Sequence, residues 1–78
     1  MERQVFNFIE KTLVHMNVAP AQINEEADIL FDLNLDVIHL DFLFSLLENR
    51  YRLNTSLVFT KEVATLKGLA DFVERRAA

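Results

Sequence analysis

The chain has no cysteine, one glycine (Gly68), one proline (Pro20) and no run of more than three consecutive apolar residues. Each absence removes a class of protein. Without thiols there are neither disulfides nor thiolate metal sites, and nothing in the composition speaks to redox compartment. A single glycine leaves no Gly-rich loop to cradle a phosphate. The longest apolar runs, such as Phe42-Leu43-Phe44, fall far short of a transmembrane span or a signal-peptide core, so a cytoplasmic location is the expectation. Basic residues are missing over a long stretch as well. No Lys or Arg lies between Lys11 and Arg50, while Glu25, Glu26, Asp28, Asp32, Asp36, Asp41 and Glu48 give that segment a formal charge of −7. So acidic a middle repels phosphate backbones and anionic lipid, which argues against nucleic acid and membranes as partners, and it attracts Lys/Arg-rich surfaces. A solvated face that keeps a small domain soluble accounts equally well for the charge.

What is present is apolar and helical in period. The 78 residues, 51% of them apolar, have room for one core and one domain, residues 1–78. A chain of this size buries only about 60% of the surface its unfolded form exposes, so its stability depends on close packing of its elements. Val5/Phe6, Ile9, Leu13 and Met16 recur at three- and four-residue steps and predict a first helix over 2–16. Asn17 and Pro20 end it, because proline lacks an N–H and restricts the residue before it. Residues 17–35 then form a long connection, with Ile23, Ile29, Leu30, Phe31 and Leu33 expected to pin it to the core.

Asp36 has the residue type of an N-cap and opens a second helix over 37–51. Leu40, Leu43, Leu47 and Tyr51 share one face of it, with Asp41, Ser45, Glu48 and Asn49 opposite. Ile38 and Phe42 fall beside that polar stripe, the placement of a docking surface or of a contact with the long connection. Leu57-Val58-Phe59 offers apolar anchors, Thr60-Lys61-Glu62-Val63 predicts one short turn of helix, and Thr65 caps a last helix over 66–76. Gly68 inside that last helix costs about 1 kcal/mol relative to alanine. The expected fold is all-α, in the order long helix, long loop, long helix, short helix, final helix.

Catalytic constellations are sparse. Neither His15 nor His39 has a second histidine or a cysteine at ligand spacing, so no metal site is expected. Thr12 and His15 stand three apart with nothing to supply an oxyanion hole, and the carboxylates read as a solvated face. The residues by themselves point away from an enzyme.

The run Asp32-Leu33-Asn34-Leu35-Asp36-Val37-Ile38-His39, followed by Leu43, Leu47-Glu48 and Tyr51, resembles the acyl carrier protein segment in which Asp-Leu-Gly-X-Asp-Ser-Leu opens the second helix and an acidic Leu-Glu-Glu-X-Phe closes it. Thr65-Leu66-Lys67-Gly68-Leu69-Ala70-Asp71-Phe72-Val73 is similar to the family's last helix. The resemblance covers nearly the whole chain. It implies a monomeric four-helix bundle of acyl-carrier type, with three longer helices and one short one. It also implies a role in fatty acid, polyketide or related lipid biosynthesis. The partners would be acyl-processing enzymes with basic docking surfaces, such as a ketosynthase, an acyltransferase or a phosphopantetheinyl transferase. An acyl chain would lie among Leu43, Leu47, Leu66 and Leu69.

The same resemblance places the family's modified serine, the attachment point of 4′-phosphopantetheine, at Val37, between Asp36 and Ile38. Valine has no hydroxyl, so the chain as it stands carries no such cofactor. Ser45 and Ser56 are out of register. The family's glycine is replaced by Asn34, which tolerates left-handed backbone, and Phe42 stands where an acidic residue is usual. The docking patch implied for partners is Asp36, Ile38, Asp41, Phe42 and Glu48. Three readings stay open: a carrier-like protein that has lost its prosthetic group and acts by docking, a functional carrier whose serine was replaced by engineering, and a helical interaction module unrelated to acyl chemistry.

Overall fold

The structure, a computed structural model, describes residues 4–54 and 56–77. Three α-helices are present among them: α1 (Gln4–His15), α2 (Val37–Tyr51) and α3 (Leu66–Arg76). Local chemistry explains their ends. At the close of α1, Asn17 takes a left-handed φ of 70°, its N–H bonds the Val14 carbonyl, and the Val18 N–H bonds the Leu13 carbonyl. That paired closure satisfies carbonyls the helix would otherwise leave free, and it delivers Val18 into the core. Arg52, at φ 53°, ends α2 in a related way, with the N–H groups of Arg52 and Leu53 both directed at the Glu48 carbonyl. The predicted starts are also found: Asp36 accepts from the His39 N–H at 2.9 Å and Thr65 from the Gly68 N–H at 3.0 Å.

The core gathers one stripe from each helix. Val5, Ile9 and Leu13 of α1 meet Leu43, Phe44 and Leu47 of α2 and Leu66, Leu69, Ala70 and Val73 of α3. The long connection adds Val18, Ile23, Ala27, Ile29, Leu33 and Leu35, and no polar or charged residue is buried among those described. Each large aliphatic side chain removed from water in this way contributes about 1.5–3 kcal/mol before the entropy of ordering is subtracted.

Three sequence expectations are corrected. The short fourth helix is not confirmed: Lys61–Val63 is a single 3-10 turn, because Thr65 must already be extended to cap α3 and leaves no room for an α-turn. Phe31 does not pin the connection, since it is 86% exposed. The Asp28 carboxylate accepts from both the Leu30 and the Phe31 N–H groups, and the tight turn sends Ile29 inward and Phe31 out. Of the trio 57–59, Leu57 alone is an anchor, while Val58 and Phe59 face solvent.

Gly68 reverses its expected sign. A Cβ built there would collide with the Glu62 carbonyl and crowd the Thr65 hydroxyl. The propensity gain of an alanine is then outweighed by overpacking against backbone that cannot move aside. Gly68→Ala is expected to destabilise the fold by about 1–3 kcal/mol in urea unfolding; an unchanged or raised midpoint would show that the start of α3 has slack.

Candidate functional site

The start of α2 is built by the residues just before it. Leu33 and Leu35 are buried, and Asn34 between them takes the left-handed φ of 55° that the turn needs. Asp36 is therefore delivered to the cap position, where its carboxylate binds the His39 N–H and lies 3.0 Å from His39 Nδ1. Val37 and Ile38 follow at 80% and 78% exposure, and Phe42 is 53% exposed. Ile38, Asp41 and Phe42 share one helix face at three- and four-residue spacing. The structure brings Asp36, Val37, Ile38, Asp41 and Phe42 together at one end of α2.

Glu48 has a different position. It is half-buried, and its Oε2 accepts from the Leu57 N–H at 2.6 Å while its carbonyl closes the helix. It ties residues 56–57 to α2 and does not extend the exposed patch. A similar economy runs through the acidic segment: Asp28, Asp32, Asp36 and Glu48 all spend side-chain oxygens on backbone N–H groups. Most of those bonds are local, of the kind a carboxylate makes in loops and caps. The sequence signal that could have exposed this is the placement of Asp28 and Asp32 four apart in a turn, each within reach of early N–H groups.

Thr12 and His15 are engaged with backbone. The Thr12 hydroxyl donates to the Phe8 carbonyl at 2.9 Å, and His15 Nδ1–H donates to the Lys11 carbonyl at 2.9 Å. Among the described residues no group of three or more His, Asp or Glu could hold a metal ion, and no helix is long and apolar enough to cross a membrane. The residues at the start of α2 do not fit a phosphopantetheine arm. Val37 offers no oxygen for a phosphodiester, and the next hydroxyl on α2, at Ser45, lies about two turns away. Leu43, Leu47, Leu66 and Leu69, expected to line an acyl site, are fully buried in the core.

Open space lies elsewhere. Two grooves follow the seam between α1 and α2, one of about 410 Å³ beside Gln4, Asn7, Phe8, Lys11, Arg50 and Tyr51. The second, of about 480 Å³, continues past Phe8 and Lys11 to Met16, Phe42 and Leu46. No protein-family model matches the chain, and no curated protein is significantly similar to it.

Glu48→Ala is expected to lower stability by about 1–2 kcal/mol and to speed amide exchange at Leu57, the cost of a charge-assisted bond to backbone. Unchanged exchange at Leu57 would free Glu48 for a surface role.

Proposed function

We propose that this chain is an acyl-carrier-like docking protein, not an enzyme, which engages an acyl-processing enzyme through the start of α2 and carries no 4′-phosphopantetheine of its own. The observation that supports this reading is the capped, exposed Asp36-Val37-Ile38 at the start of α2. In the carrier family the residue after the capping aspartate bears the arm. Here Val37 stands at that position and, with Ile38 after it, presents an aliphatic pair to solvent, with Phe42 beside them. Such a patch gains by burial against a partner, while Asp36 and Asp41 favour encounter with a basic surface. The order of elements and the left-handed turn at Asn34 are consistent with the same scaffold.

The test is the intact mass of the chain after incubation with coenzyme A and a permissive phosphopantetheinyl transferase, with Val37→Ser alongside. The chain as it stands gains no mass and Val37→Ser gains one phosphopantetheine. In the Val37→Ser background, Asp41→Lys slows loading about tenfold, as loss of a steering charge at a docking face should. If neither protein is loaded, the carrier reading fails and a helical interaction module unrelated to acyl chemistry takes its place. Loading of the unaltered chain would mean that Ser45 or Ser56 is the attachment point.

A further inference from the structure

The seam between α1 and α2 is chemically graded along its length. The two helices run antiparallel there, since Phe8 meets Tyr51 edge-on at 6.0 Å while Met16 shares a groove with Phe42 and Leu46. On α2 the residues facing the seam, Phe42, Leu46 and Arg50, step by four, and they are matched on α1 by a stripe from Phe8 to Met16. The two grooves adjoin at Phe8 and Lys11, which line both, and are taken together as one trough along the seam. From Gln4 to Met16 the two grooves together span about 18 Å at the helical rise of 1.5 Å per residue, about 8 Å of it from Lys11 to Met16. Its volume falls in the range of small-molecule sites, about 300–1,000 Å³.

One end of the trough is apolar and the other is cationic. Met16, Phe42 and Leu46 line the first together with Thr12 and His15, and Lys11 stands where the two grooves meet. At the other end Arg50 holds its guanidinium 4.6 Å over the Phe8 ring and 5.8 Å from the Tyr51 ring, with Lys11 beside the same groove. Neither Lys11 nor Arg50 is in an ion pair among the described residues. They are also the basic residues that bracket the long acidic stretch, so this end of the seam differs in sign from the segment between them. A stacked guanidinium and a nearby ammonium suit a carboxylate, and an apolar trough leading away from them suits a single alkyl chain.

We propose that the α1/α2 seam binds a single-chain anionic amphiphile of the fatty-acid type. Its carboxylate lies between Lys11 and Arg50, and its tail runs past Thr12 towards Met16, Phe42 and Leu46. Binding is non-covalent and uses neither Val37 nor any prosthetic group, so it stands independently of the carrier reading.

The test is a titration of the isotopically labelled full chain with laurate below its micelle concentration, followed by amide shifts. Dodecyltrimethylammonium, with the same tail and the opposite charge, is the comparator. Laurate shifts Phe8, Thr12, Phe42 and Leu46 and binds at least about tenfold more tightly than the cationic amphiphile. Lys11→Gln with Arg50→Gln removes that preference, a loss of about tenfold or more for laurate. Arg50→Lys, which keeps the charge, retains binding and separates the loss of charge from the loss of stacking on Phe8. Equal affinity for the two amphiphiles, an unchanged double variant, or shifts confined to Val37 and Ile38 would overturn the assignment. So would the absence of laurate binding; a dimer in sedimentation that Leu46→Arg dissolves would then make the seam an interface between two copies.

Discussion

Three backbone hydrogen bonds between the long connection and the start of α3 hold the rest of the structure in place. The Ile29 N–H bonds the Ala64 carbonyl at 2.8 Å, the Leu66 N–H bonds Ala27 at 3.1 Å, and the Lys67 N–H bonds Glu25 at 2.8 Å. A connection that buries Ala27 and Ile29 takes its own polar backbone inward, and those groups need partners there. The start of α3 supplies them while it is itself being capped by Thr65. That close approach around the cap is the reason glycine occupies position 68, with the Glu62 carbonyl filling the space a side chain would need. Once the connection is fastened, Leu33 and Leu35 drop into the core and Asp36 arrives where α2 begins.

The acidic middle of the chain serves geometry before it serves attraction. Four of its seven carboxylates bind backbone N–H groups, and in doing so they shape the turn at Asp28, cap α2 and tether residue 57. The negative charge remains on the surface as a consequence, so local structure and long-range electrostatics are properties of the same side chains. A surface of this sign sets up a negative potential without any residue being set aside for the purpose.

α2 therefore presents two different surfaces. Its first turn exposes Val37 and Ile38, and its flank against α1 forms a trough that ends at Arg50. Phe42 borders both, being 53% exposed and part of the trough lining. A protein docked on the first surface and a small molecule held in the second would compete for that one ring. α2 would in that way couple what the seam holds to what its first turn binds.

Helix bounds and caps were legible in the sequence because the forces that set them act within a few residues. The apolar period, the N–H that proline lacks, the side-chain oxygens of Asp36 and Thr65, and the tolerance of Asn34 for a left-handed turn are all local properties, and the structure returns α2 and α3 over the expected residues. The exposed patch was legible in part: Phe42 and Ile38 could be placed beside the polar stripe from their angle on the helix alone. Glu48 could not be assigned, because its partner is nine residues away across a loop. Nor could the outward turn of Phe31, which follows from the Asp28 carboxylate, or the need for Gly68, which follows from a carbonyl six residues earlier. The trough lies beyond sequence reading altogether, since its walls come from helices separated by the entire long connection. The sequence by itself determined where α2 and α3 begin and end, because hydrogen bonding and capping are short-ranged. Tertiary packing decided which apolar side chains face water and where a groove remains, because those depend on what distant segments leave uncovered.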